Sequence, residues 1–137
     1  MGHVGRIIQV GQRGIGSARP GDVDEAQAYG VQFVPAGDVA RSGIGPVVDL
    51  VPRGSDLVIC LDLDALDPAV MPAVIGRTAG GLSYWQVLDL ISAVAEKARI
   101  AAFDMVEFMP DRAIDGQGAA LAAQLLAAAM GIVARQG

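Results

Sequence analysis

An apolar run that ends in a cluster of acids constrains the fold more than any other feature of the chain. Leu57–Leu61 is uninterrupted and apolar, which is typical of a strand buried on both faces of a parallel sheet. Asp62 and Asp64 follow, and because strand side chains alternate between faces, both carboxylates are expected on one side. Asp67 comes one turn later, and Pro68 ends the strand. We therefore predict a buried strand with three acids at its carboxyl end.

Acids placed this closely repel one another and are costly to remove from water. A hard cation with oxygen ligands is the usual remedy, so a metal site is one interpretation. The other is that these acids cap the next turn and face water, because Asp is common where strands end. For an isolated Asp-x-Asp the second interpretation would be preferred, and the residues that follow reverse that preference.

The stretch from Cys60 to Gly81 resembles the signature of the ureohydrolase family, which includes arginases, agmatinases and formiminoglutamases. Cys60 stands where the family usually has Ser. Upstream, residues 10–14, Val-Gly-Gln-Arg-Gly, are similar to the family's strand and glycine turn. The positions that match the signature are Asp62, Asp64, Pro68, Pro72, Ala73 and Gly81.

The resemblance implies roles for three side chains. Asp62 and Asp64 correspond to two carboxylate ligands of a binuclear manganese centre, Mn²⁺ being the cofactor of the family. Glu107, in the segment Val106–Pro110, corresponds to the catalytic glutamate that holds the guanidinium group of the substrate. The implied reaction is a hydrolysis in which activated water attacks the guanidinium carbon of a linear amidine and releases urea. No other cofactor-binding residue is implied.

The family centre has further ligands for which this chain has no counterpart. They are two histidines and two aspartates, carried by a Gly-Gly-Asp-His motif and an Asp-Ala-His-x-Asp motif. The single histidine, His3, lies in neither motif. The resemblance covers residues 1–137 as the C-terminal half of the family domain. We therefore expect an arginase-like but truncated α/β domain, and the sequence leaves open whether the chain is an enzyme by itself.

Apolar runs alternate with helical patterns, which predicts an α/β fold with a parallel sheet covered by helices on both faces, a three-layer arrangement. Ser83 and Gln86 form a capping box that begins a helix. Ligands bind at the carboxyl ends of such strands, where Asp62, Asp64 and Glu107 lie. The predicted strands are Ile7–Val10, Val31–Val34, Leu57–Leu61 and Ile100–Val106, and the predicted helices are Asp22–Tyr29, residues 46–51, 83–97 and 118–135.

Composition limits the partners that this chain can have. Its net charge is −5 and its pI is 4.6, which argues against nucleic acid and against an anionic membrane surface. Cys60 is the only cysteine, so no internal disulfide is possible and a reducing, cytoplasmic compartment is expected. Cys60 itself is expected to be a small buried residue. The Ala-rich residues 119–134 are shorter than the roughly 20 residues of a membrane span and predict a core helix. The expected partners are a small guanidino substrate and either identical copies, in a homo-oligomer, or the missing N-terminal half.

Two other functions are compatible with parts of the pattern. An Asp-x-Asp after an apolar strand also occurs in aspartyl phosphotransferases, where Asp62 would be the nucleophile. Their motif has Thr or Val two residues after the second Asp, and here Leu66 stands there. The other alternative is a non-catalytic remnant of the ureohydrolase family, or an assembly module whose apolar faces serve only for association.

Overall fold

The structure is a computed structural model that describes residues 4–14 and 18–136, so His3 lies outside the described residues. Strands and helices alternate along the chain, as the sequence predicts. The strands are β1 (Ile8–Val10), β2 (Gln32–Val34), β3 (Asp56–Asp62) and β4 (Arg99–Val106). The helices are α1 (Asp22–Tyr29), α2 (Ala36–Ser42), α3 (Gly45–Leu50), α4 (Tyr84–Ala95) and α5 (Gln117–Ala134).

All pairing between the described strands is parallel, which confirms the predicted α/β class. The strands form two pairs, β1 with β2 and β3 with β4, and no hydrogen-bonded ladder joins the pairs among the described residues. The β3–β4 register runs from Asp56 opposite Arg99 to Asp62 opposite Val106, with one irregularity after Leu57. The carboxyl ends of β3 and β4 therefore lie side by side.

Local sequence explains where helix α4 begins. The Ser83 side chain accepts a hydrogen bond from the Gln86 N–H at 3.1 Å, and the Gln86 side chain accepts one from the Ser83 N–H at 2.9 Å. This reciprocal pair is the predicted capping box, and it satisfies two N–H groups that a helix end leaves without partners. Helix α2 was not predicted, because its N-cap is Pro35 and no side chain caps it.

The long loop between β3 and α4 is part of the hydrophobic core. Five of its apolar side chains are almost completely buried, and they pack with residues of α4 and α5 in one cluster. A loop that is tethered by so many buried side chains holds its polar residues in fixed positions. The five residues are Leu63, Leu66, Met71, Ala73 and Val74.

The prediction that β3 is buried on both faces is wrong. Val58 is 69% exposed and Cys60 is also exposed, whereas Ile59 and Leu61 face the core. Only one face of the strand is covered, because no element among the described residues packs over the other. Cys60 is therefore a surface thiol and not the small buried residue that the apolar run indicated.

Helix α5 packs on the core along one narrow stripe. Its buried residues are Gly118, Leu125, Ala129 and Ile132, and Met130 is 64% exposed. By length and composition alone, α5 is the one helix among the described residues that could cross a membrane, and 22% of that stretch is buried. The expected core helix is thus confirmed for its inner stripe only, and most of its apolar surface is uncovered.

Candidate functional site

Asp62 and Asp64 lie next to each other, but they do not lie on one strand. Asp62 is the last residue of β3, and the chain then turns into a short 3₁₀ helix that contains Asp64. The Asp62 carboxylate accepts a hydrogen bond from the Asp64 N–H at 3.3 Å. The prediction that both carboxylates come together is confirmed, whereas its stated reason, strand alternation, is replaced by this tight turn.

The surroundings of Asp64 change how readily its carboxyl group ionises. Burial raises the pKa of Asp64, and the neighbouring charge of Asp62 and a hydrogen bond between the two side chains raise it further. The positive charge of Arg13 opposes this rise, and the negative charge of Glu107 adds to it. Asp64 therefore lies in a negative field to which both Asp62 and Glu107 contribute. Such a field favours a bound cation.

Asp67 does not join the acidic pair, which corrects the prediction of three clustered acids. One of its carboxylate oxygens accepts a hydrogen bond from the Ala69 N–H at 2.9 Å. The other accepts from the N–H groups of Gly80 and Gly81 at 2.8 and 3.2 Å. These bonds lower the pKa of Asp67, and the bond from Ala69 contributes most. Asp67 closes the loop between β3 and α4, which is the turn-capping interpretation of a strand-end acid.

Arg13 connects the loop after β1 to the turn that carries Asp62 and Asp64, called the acidic turn below. Its guanidinium donates to the carbonyls of Asp64, Leu66 and Thr78, at 2.8, 3.1 and 2.6 Å from the same terminal nitrogen. The other two guanidinium nitrogens donate to the carbonyls of Thr78 and Gly11, at 3.1 and 3.3 Å. A planar guanidinium is suited to such a fan of acceptors. Arg13 thus holds the backbone of Asp64 in place and brings a positive charge close to its carboxylate.

Glu107 directly follows β4 and has an unusual backbone conformation. Its φ is +63°, and Glu107 and Asp115 are the non-glycine residues of the described chain with positive φ. This conformation is unfavourable for a side chain with a Cβ, and such strain is often retained where a side chain must point in a set direction. No ion pair of Glu107 occurs among the described residues. Arg112, the cation nearest to Glu107 in sequence, instead donates to the Ile75 carbonyl at 3.0 Å.

The described residues include carboxylates that could hold a metal ion, but no complete ligand set. They contain no group of three or more His, Cys, Asp or Glu side chains arranged to bind one ion. The Asp62–Asp64 pair suits a hard cation, because it offers carboxylate oxygens and because the negative charges of Asp62 and Glu107 act on Asp64. Gly76 also lies close to this pair, since an added Cβ would stand 3.2 Å from an Asp64 carboxylate oxygen.

Gly81 and Ala73, two small residues of the signature, are small for a steric reason that the sequence did not reveal. A Cβ on Gly81 would stand 2.5 Å from the Leu66 carbonyl carbon and 2.7 Å from its oxygen. A Cβ on Gly118, at the start of α5, would overlap the Ala73 side chain. Gly81 and Ala73 are therefore small because backbone and helix approach them closely. The absence of a Cβ at Gly81 lets its backbone approach Leu66, which forms a parallel bridge with Leu82 just after the acidic turn.

Sequence comparison relates the chain to known proteins. The sequence model of the arginase family matches residues 2–131. The chain is 36% identical to the N(1)-aminopropylagmatine ureohydrolase of Thermus thermophilus over 129 residues, which are 92% of this chain and 41% of that protein. It is 30% identical to the enzyme of the same name from Thermococcus kodakarensis, over 96% of this chain and 46% of that protein.

Solved structures give the same relation. The agmatine ureohydrolase of Thermoplasma volcanium is 31% identical with a TM-score of 0.79, over 96% of this chain and 43% of that one. The proclavaminate amidinohydrolase of Streptomyces clavuligerus is 28% identical with a TM-score of 0.80, over 95% of this chain and 43% of that one. The chain thus spans less than half the length of the relatives that it matches.

Proposed function

The chain belongs to the arginase family, and we propose that it is the part of a ureohydrolase that carries two metal-binding carboxylates, Asp62 and Asp64, and a substrate-binding glutamate, Glu107. The observation that supports this most directly is the adjacency of Asp62 and Asp64 at the carboxyl end of β3. Glu107 follows β4, the strand paired with β3, and its charge is close enough to raise the pKa of Asp64. The family assignment leaves the phosphotransferase alternative without support.

The proposed substrate is a linear guanidino compound, and the proposed products are urea and an amine. Relatives of this chain are described as ureohydrolases of aminopropylagmatine and of agmatine, and one as an amidinohydrolase. A glutamate carboxylate matches the planar donor pair of a guanidinium group and binds it with two charge-assisted hydrogen bonds. In this proposal Glu107 orients the guanidinium carbon, and its strained backbone serves to aim the side chain.

The proposed metal is Mn²⁺, and Asp62 and Asp64 would supply two of its ligands. When bound, the metal supplies a Lewis acid that lowers the pKa of a coordinated water. The contribution of this chain is to hold the two carboxylates, to steady the Asp64 backbone through Arg13, and to orient the substrate through Glu107. Hard divalent cations usually take about six ligands, so the proposed site is completed by residues beyond the described ones.

Metal titration tests the proposed ligands. We expect the chain alone to bind Mn²⁺ weakly, with a dissociation constant on the order of 1 mM, because two carboxylates leave most coordination positions to water. Calorimetry or the loss of the free Mn²⁺ paramagnetic resonance signal gives the affinity. In Asp62→Asn/Asp64→Asn we expect binding to disappear.

The matched control is Asp49→Asn/Asp89→Asn, which removes the same charge from two exposed helix positions. This variant is expected to bind Mn²⁺ as the unmodified chain does. Equal loss of binding in both double variants would indicate a general charge effect and would contradict the assignment. Tight binding of two ions to the chain alone would also contradict it, because the site would then be complete.

A further inference from the structure

Two arginines connect the loop before helix α4 to the segment that follows Glu107. The Arg77 side chain donates to the Arg112 carbonyl at 3.0 Å, and the Arg112 side chain donates to the Ile75 carbonyl at 3.0 Å. Arg77 also donates through its Nε to the Pro72 carbonyl at 2.7 Å. Because each side chain is anchored on the backbone of the other segment, the two guanidinium groups, called the arginine pair below, are held near each other.

The arginine pair borders the acidic turn. Gly76 directly precedes Arg77, and an added Cβ on Gly76 would stand 3.2 Å from an Asp64 carboxylate oxygen. The backbone N–H two residues after Glu107 donates to the Ala73 carbonyl at 2.8 Å, so the chain that follows Glu107 runs along the loop that carries Arg77. Both arginines are thus at the rim of the site that Asp64 and Glu107 define.

The arginine pair forms no ion pair with a described residue. The ion pairs of the described chain are those of Asp22, Asp38 and Asp56 with other arginines, and Asp111 does not pair with the neighbouring Arg112. Both members of the pair are exposed, and each has one terminal guanidinium nitrogen that donates to no described residue. Two positive charges with unused donors therefore stand beside a site whose other charged groups are mainly acids.

Each of the two connected segments also exposes an apolar side chain next to the site. Ile75 is 59% exposed and directly precedes Gly76, and Phe108 is 37% exposed and directly follows Glu107. Small-molecule sites commonly combine such apolar walls with a few charged groups that fix the orientation of the ligand. Acids, apolar side chains and cations are thus available to three different parts of one ligand.

We propose that the ligand is a guanidino acid, an aliphatic chain with a guanidinium group at one end and a carboxylate at the other. This inference rests on the proposed function, in which Glu107 binds the guanidinium end. The arginine pair binds the carboxylate end with charge-assisted hydrogen bonds, for which planar guanidinium groups are well suited. Ile75 and Phe108 contact the methylene groups between the two ends. Arg77 and Arg112 are then specificity-determining residues, because they select the charge of the substrate tail.

The overall charge of the chain acts in the opposite direction, which makes the tail charge a sharp test. A net charge of −5 favours a cationic tail over an anionic one. Salt screens exposed charges beyond about 8 Å at physiological ionic strength, so the nearby arginine pair is expected to outweigh the distant acids. A preference for an anionic tail is therefore attributable to local cations.

The test compares three compounds that differ only in the group at the end of the tail. Guanidinobutyrate ends in a carboxylate, butylguanidine in a methyl group and agmatine in an aminomethyl group. Each compound is titrated without metal into the isotope-labelled chain, and the magnetic resonance signals of the Glu107 amide and of the arginine side chains give the dissociation constants. We expect guanidinobutyrate to bind about tenfold more tightly than agmatine, and butylguanidine to lie between them.

Variants separate the two ends of the ligand. Arg77→Gln/Arg112→Gln is expected to remove the preference for guanidinobutyrate, and Arg77→Lys/Arg112→Lys is expected to retain it, because lysine keeps the charge. The matched control is Arg53→Gln/Arg135→Gln, which removes the same charge from exposed positions just before β3 and just after α5 and should keep the preference. Glu107→Gln should weaken the binding of all three compounds by a similar factor.

The failure of this inference is distinguishable from that of the proposed function. Binding of agmatine as tight as that of guanidinobutyrate, with both weakened in Glu107→Gln, would overturn the inference and leave the proposed function intact. Equal loss of the preference in the control variant would also overturn it, because the effect would then come from overall charge. Guanidinobutyrate binding that is unchanged in Glu107→Gln, or binding of none of the compounds at millimolar concentration, would overturn both.

Discussion

Gly81→Ala is expected to lower the free energy of unfolding by about 3 kcal/mol, because the new methyl group would overlap backbone atoms. The added Cβ would stand 2.5 Å from the Leu66 carbonyl carbon, and neither backbone segment can move freely. The Leu82 N–H donates to the Ala65 carbonyl at 2.9 Å, and the Asp67 N–H donates to the Leu82 carbonyl at 3.0 Å. Urea denaturation followed by circular dichroism measures the change.

Gly80→Ala is the matched control one residue earlier. Gly80 has a φ of +79° and open space where a Cβ would be, so alanine there adds backbone strain but no overlap. Its expected cost is about 1 kcal/mol. A Gly81→Ala cost equal to or below that of Gly80→Ala would show that the acidic turn yields easily, and that it does not hold Asp64 in place.

Glu107→Gln is expected to reduce urea release by about a hundredfold, because the guanidinium group loses its orienting carboxylate. The assay uses the enzyme assembled from the chain and the complementing portion, which is the part of the Thermus thermophilus ureohydrolase that the chain does not cover. Glu107→Gly should abolish urea release and also raise the free energy of unfolding by about 1 kcal/mol, since glycine adopts the φ of +63° without strain. Steady-state urea assays and urea denaturation of the same preparations measure both effects.

Asp115→Gly is the control for the strain argument. Asp115 has a φ of +48° and is exposed, so glycine should relieve strain there as well, by a smaller amount because Asp tolerates this conformation better than Glu. Urea release should be unchanged in this variant. A fully active Glu107→Gly enzyme would contradict the role of Glu107, whatever its stability.

Local patterns made the fold class and the acidic pair predictable. The capping box of Ser83 and Gln86 begins α4 as expected, and Asp62 and Asp64 come together after a strand. Both features depend on residues that are neighbours in sequence, so spacing carries the information. The exposure of one face of β3 was not predictable in this way, because covering a strand face depends on elements distant in sequence, and none among the described residues packs there. Val58 and Cys60 are exposed for that reason.

Contacts between distant segments account for the remaining differences. Asp67 turns away from the acidic pair because N–H groups of Gly80 and Gly81, far along the chain, satisfy its carboxylate. Arg13 reaches the Asp64 carbonyl from the loop after β1. The sequence shows Arg13 as part of a glycine turn and gives no sign of this contact. Such partners become visible only once the fold brings the loops together.

Urea release measured under three conditions tests the central claim most directly: the chain alone, the complementing portion alone, and the two together, each with Mn²⁺ and either agmatine, aminopropylagmatine or arginine. We predict release only by the two together, and its loss in Asp62→Asn/Asp64→Asn. Release by the chain alone would contradict the account, because the described residues contain no group of three or more His, Cys, Asp or Glu side chains arranged to bind one ion. A stable complex of the two polypeptides without urea release from any guanidino compound would contradict the proposed function itself.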